Sequence, residues 1–143
     1  MTDKQQAIIC DLTVFDAATR RQMAAKVPDL FRAAQRVQEL PEGYAFTFPA
    51  SSGTFMAIAT FVEHERQCCP FFDFTMVVPA GGGPLQLRMT GGEGVKAFMQ
   101  ATWQDLQEAV TRGLVQSGPE DDLDEAIRRA APVLAGTIAK SDA

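Results

Sequence analysis

The chain has 143 residues, 46% hydrophobic and 22% charged, with a formal net charge of −5. That balance describes one globular domain able to bury a core without staples. The negative charge, with no Lys/Arg-rich run, argues against a nucleic acid or an anionic membrane as partner.

The polar start Met1–Gln6 lacks the basic and apolar regions of a signal peptide, and no apolar run approaches the ~20 residues that cross a bilayer. Three cysteines, an odd number, fit reduced thiols better than a secreted disulfide framework. A cytoplasmic protein is expected.

Asp16 is placed to cap a helix running to about residue 31, with Met23, Val27, Leu30 and Phe31 as its apolar stripe. Pro28 lies inside this run and is expected to kink or shorten it. A hairpin follows: Val37 to Leu40, a Pro41-Glu42-Gly43 turn, then Tyr44, Phe46 and Phe48 alternating with smaller residues until Pro49. Ser51 or Ser52 caps a second helix over roughly 54–68, with Phe55, Ile58, Ala59 and Val62 as the expected core stripe. Pro70 ends it at or just before Cys69.

A second hairpin pairs Phe72, Phe74, Met76 and Val78 with Leu85, Leu87 and Met89 across a Gly-rich turn. Gly91 to Gly94 open a third helix whose face carries Val95, Phe98, Met99, Thr102 and Leu106, with Trp103 at the edge. This order predicts an α+β fold: a four-stranded antiparallel sheet from two ββα units, with helices on one face. Residues 1–112 form the expected domain, and 113–143 a helical appendage. There Leu123, Ala126, Ile127, Ala130 and Leu134 make a stripe suited to packing on the domain or to a homodimer.

Chemistry concentrates at Glu63-His64-Glu65-Arg66-Gln67-Cys68-Cys69-Pro70, which holds two of the three cysteines and the only histidine. Helical spacing sets His64 and Cys68 on one face. It turns Cys69 toward the core stripe and Cys68 toward the edge near Phe61, while Pro70 lets both sulfurs converge. Vicinal thiols select thiophilic ions such as Cu(I) or Hg(II), with Cys10 a third sulfur if the N-terminus folds back. Zn(II) on Cys10, His64, Cys68 and Cys69 is an allowed ligand set, but matches no standard spacing. No organic cofactor is expected.

A thiol redox or organometal-processing enzyme using the same pair, with His64 or Arg66 assisting, is a second reading. The helix C-terminus and two nearby glutamates oppose a standing thiolate, and only Arg66 and a protonated His64 pull the other way. A bound ion brings its own positive charge and escapes that objection, which favours binding over catalysis. In the third reading the cysteines are merely small buried hydrophobes and the domain has a structural or interaction role. His64 also reads simply as an exposed helix residue.

The run Glu65-Arg66-Gln67-Cys68-Cys69-Pro70-Phe71, with Gly83-Pro84 and Thr90-Gly91-Gly92-Glu93-Gly94-Val95-Lys96 after it, resembles a family of small bacterial proteins of unassigned activity. These carry Glu-Arg-x-Cys-Cys-Pro-Phe before an aromatic strand, a Gly-Pro hairpin and a Thr-Gly-x-Glu-Gly-x-Lys helix start. The resemblance covers roughly residues 10–103. It implies one compact domain and an association with heavy-metal resistance, and names no activity.

Other motifs fall away. Gly91-Gly92-Glu93-Gly94 lacks the Gly-Lys-Ser/Thr of a phosphate loop, and Glu93 would repel an anion. Glu63 and Glu65, two apart on a helix, point in different directions and make no acid/base pair.

Overall fold

A computed structural model describes residues 7–117. The first helix, α1 (Ala17–Arg32), starts where Asp16 accepts a hydrogen bond from the Thr19 amide at 2.7 Å. It continues four residues past Pro28, so the proline does not end it. An interior proline costs a helix about 3 kcal/mol. Burial of Leu30 and Phe31 beyond it, at roughly 1.5–3 kcal/mol each, is enough to offset that.

Strands β1 (Arg36–Leu40) and β2 (Gly43–Phe48) form the first hairpin, with Leu40 paired to Gly43. A side chain at Gly43 would land on the Met89 carbonyl oxygen of the neighbouring strand, so only glycine fits. Helix α2 (Ser52–Cys68) is capped by Ser51 and followed by β3 (Phe72–Val77) and β4 (Leu85–Gly91).

The expected third helix is two helices, α3 (Val95–Thr102) and α4 (Gln104–Thr111), broken at Trp103. Trp103 takes an extended backbone (φ −91°, ψ 105°) that drives its indole edge-on against Phe31 and Phe46. Packing the largest side chain into the aromatic core thus overrides helical continuity.

The fold is α+β, but the sheet has five strands in the order β3-β4-β2-β1-β5 and is mixed, not purely antiparallel with four. The fifth strand, β5 (Val115–Gln116), lies parallel to β1. Gly113, at φ 75°, makes this possible. Its amide donates to Val110 O and the Leu114 amide to Ala109 O, the Schellman arrangement that ends α4 and sends the chain back along β1. The sheet therefore reaches past residue 112, the expected edge of the domain. The rest of the expected appendage, including its helix and any homodimer contact, lies outside the described residues.

One sheet face carries the apolar rows Tyr44–Met89–Phe74 and Phe46–Leu87–Met76. Against it pack Leu30 and Phe31 of α1, Ile58 and Phe61 of α2, Met99 of α3 and Leu106 of α4. A smaller apolar cluster forms beside it from Phe15, Met23, Cys68, Cys69, Phe71 and Val95. No helix among the described residues is long and apolar enough to cross a membrane.

Candidate functional site

The site begins with the face that α2 buries. The stripe is Ile58, Phe61 and Cys68, whereas Phe55 is 38% exposed and Val62 only partly buried. The expected stripe was therefore rotated by nearly one residue. Phe61 is drawn inward by edge-on contacts with Phe31 and Phe74. Cys68, seven residues on from Phe61, follows it into the core rather than lying at the edge.

Pro70 then does its expected work. Cys69 leaves the helix at φ −128°, ψ 68°, while its amide still donates to Glu65 O at 2.7 Å. This swing brings the sulfurs of Cys68 and Cys69 to 3.4 Å from each other. Both residues are nearly inaccessible at their own surfaces, at 1% and 3%.

The N-terminal segment does fold back. The Asp11 amide donates to the Cys68 carbonyl at 2.8 Å, and Ile8 packs on the smaller cluster. Cys10 is thereby held against Cys69, and the two are joined as a disulfide with Cα atoms 4.5 Å apart. The expectation of three reduced thiols is corrected here: Cys68 alone is free. Composition could not foresee this, because the bond depends on residues 59 positions apart meeting.

All three sulfurs border one cavity of about 320 Å³. Exposed Leu12 and Thr102 stand at its margin, and Phe61, Phe98 and Trp103 form apolar wall. Glu65 borders it too, and its carboxylate lies within 4.8 Å of both vicinal sulfurs. Burial pushes this carboxyl up to about 7. Burial, then the nearby Glu65 charge, pushes the Cys68 thiol up to about 11.

His64 is not part of this cluster. Its ring meets Phe15 edge-on at 5.4 Å and borders a separate cavity of about 300 Å³ between α1 and α2. The helical turn that buries Cys68 with Phe61 carries His64 round toward α1. The group that sequence reasoning missed is Glu65, treated there only as surface charge. Its spacing held the signal: three residues before Cys68 and four before Cys69, it shares their face.

Among the described residues, Glu65, Cys68 and Cys69 are the one cluster of three potential ligand side chains. Cys10 extends it by a sulfur once the disulfide is opened. Arg66 points away, bonded to Glu63 at 2.9 Å. Comparison of the chain with protein families, with curated proteins and with solved structures finds no match.

Proposed function

We propose that the reduced protein binds a soft metal or metalloid ion through Cys68 and Cys69, with Cys10 as a third sulfur, in a reducing, cytoplasmic setting. The observation that carries this reading is the convergence of three sulfurs on the wall of one cavity. Thiolate sulfur selects soft ions, and consecutive cysteines at a helix end supply a chelating pair with little ordering left to do. Cu(I), Hg(II) and Zn(II) remain the ions to compare. A zinc site would have to do without His64, which faces the other cavity.

A second reading, thiol–disulfide catalysis, draws on the Cys10–Cys69 bond with Cys68 beside it. Magnitude weighs against it. A thiol titrating near 11 is ionised in only about one molecule in ten thousand at pH 7, and the thiolate is the nucleophile. An ion overcomes the same barrier by displacing the proton as it binds. The inert-cysteine reading is weakened by the cavity, since a purely structural thiol has no need of open space beside it.

The test is titration of phosphine-reduced protein with Hg(II) and with Cu(I), followed by quenching of Trp103, the only tryptophan, which borders the same cavity. Stoichiometric quenching is expected for the wild type and its loss in Cys68→Ser/Cys69→Ser. Equal stoichiometry in the two proteins would remove the reading.

A further inference from the structure

The fold brings the two vicinal sulfurs close together, which favours an ion with a narrow angle between its sulfur bonds. With a metal–sulfur bond of about 2.3 Å, a linear S–ion–S unit holds its sulfurs roughly 4.6 Å apart, and a tetrahedral one roughly 3.8 Å. The 3.4 Å observed while Cys69 is bonded to Cys10 would correspond, for that bond length and if reduction leaves both side chains in place, to an angle of about 95° at the ion. Such an angle belongs to a pyramidal centre with three bonds and a lone pair. A linear ion would require one buried side chain to rotate away.

The wall beyond the sulfurs restricts the third substituent. Besides Cys68 and Cys69 the cavity is lined by Phe61, Phe72, Phe98 and Trp103 and by the fully buried Met89 and Met99. An apolar cavity of about 150 Å³ suffices for a benzene molecule. This one, at about 320 Å³, has room for a ring and its attachment. No lysine or arginine borders it, so an anionic ligand gains no counter-charge and an uncharged adduct fits best.

We infer that the ligand of this site is an organic derivative of trivalent arsenic or antimony, held by Cys68 and Cys69 with its organic group in the apolar cavity. This deepens the thiol-binding reading and rests on it. With an arsenical R–As=O, both cysteines enter as thiols, Cys69 having been released from Cys10 by a phosphine or dithiol reductant. Two As–S bonds form, and the oxygen leaves as water with both thiol protons. The carbon–arsenic bond is kept and arsenic stays trivalent, so the binding step itself needs no oxidant or reductant. The product is neutral, and the organic group takes the place that Cys10 takes on a bare ion.

The experiment uses the full chain, reduced with a phosphine, which adds no competing thiol. Affinities for phenylarsine oxide and for arsenite are measured by Trp103 quenching, each in competition with the same small dithiol. The expected result is a phenylarsine affinity at least about tenfold above that of arsenite on this normalised scale, the gain from taking one ring out of water. Thr102→Phe, at an exposed position on the cavity margin, is expected to abolish that advantage and leave arsenite unchanged.

A normalised ratio near one in the wild type overturns the inference, whatever the variant does. So does a Thr102→Phe protein that folds and keeps the full preference. If Hg(II) still needs Cys68 and Cys69 in that event, only the ligand class falls. If Hg(II) binding is also indifferent to them, the thiol reading itself has failed.

Discussion

The Asp11 amide donates to the Cys68 carbonyl at 2.8 Å. This backbone bond joins the neighbour of one cysteine to another cysteine, so Cys10 is positioned by more than its own sulfur. With Ile8 seated on the Phe15–Val95 cluster, it anchors the segment by contacts that do not involve the disulfide.

The Cys10–Cys69 bond closes a loop across 59 positions. Loop-closure entropy for that length is worth about 4 kcal/mol at most. Denaturant unfolding is expected to show the oxidised wild type about 2–4 kcal/mol more stable than the same protein in phosphine. Cys10→Ser should match the reduced value with or without reductant. Equal midpoints for oxidised and reduced wild type would show that the bond adds nothing.

Oxidised protein has one free thiol, Cys68, pushed up to about 11. Alkylation by iodoacetamide at pH 8 is expected to run about a hundredfold slower than for a small-molecule thiol, because the thiolate fraction is that much lower. The rate should still be climbing at pH 10. A plateau near pH 9, read by mass spectrometry against time, would contradict the burial of this sulfur.

Glu65 gives the protein a pH dependence whose sign follows from its environment. Below about 4.5 the carboxyl is protonated in both folded and unfolded chains. Between about 4.5 and about 7 only the unfolded chain has released the proton, so stability falls as pH rises through that window. Above 7 the loss is complete, with an upper bound of about 3 kcal/mol. Glu65→Gln should be as stable as wild type at pH 4, more stable at pH 8, and flatter between. Parallel stability curves for the two proteins would show that the carboxyl is not desolvated.

Phe31 touches Phe46, Phe48, Phe61 and Trp103 edge-on, at centroid distances of 4.8 to 5.8 Å. Phe31→Ala is expected to cost about 3–5 kcal/mol, the range for deleting a buried aromatic ring. A loss below about 1 kcal/mol in urea unfolding would mean that these rings do not act as one packed unit.

Periodicity made most of the scaffold legible. Asp16, Ser51 and the alternation from Tyr44 to Phe48 each predict an element within a residue or two of where it forms. Three features escaped. β5 has two residues and a parallel partner, so it has no pattern of its own and exists only through the Gly113 turn. The break at Trp103 is a tertiary choice, since residues 95–111 read as one helix. At the site, the direction of Cys68 depended on whether Phe55 or Phe61 led the buried stripe. Both spacings are apolar, and only the aromatic contacts of Phe61 decide between them. The adjacency of Cys68 and Cys69 was plain; their company with Glu65 rather than His64 followed from that rotation.

The cavity beside the sulfurs lies between the main core and the smaller cluster, and its volume is space the folded chain holds open. Its mouth at Leu12 and Thr102 opens to solvent, so an occupant would bridge the two clusters rather than fill a sealed void. Trp103, at that junction, would register its arrival, and an occupant bound only by the folded chain would raise the unfolding midpoint.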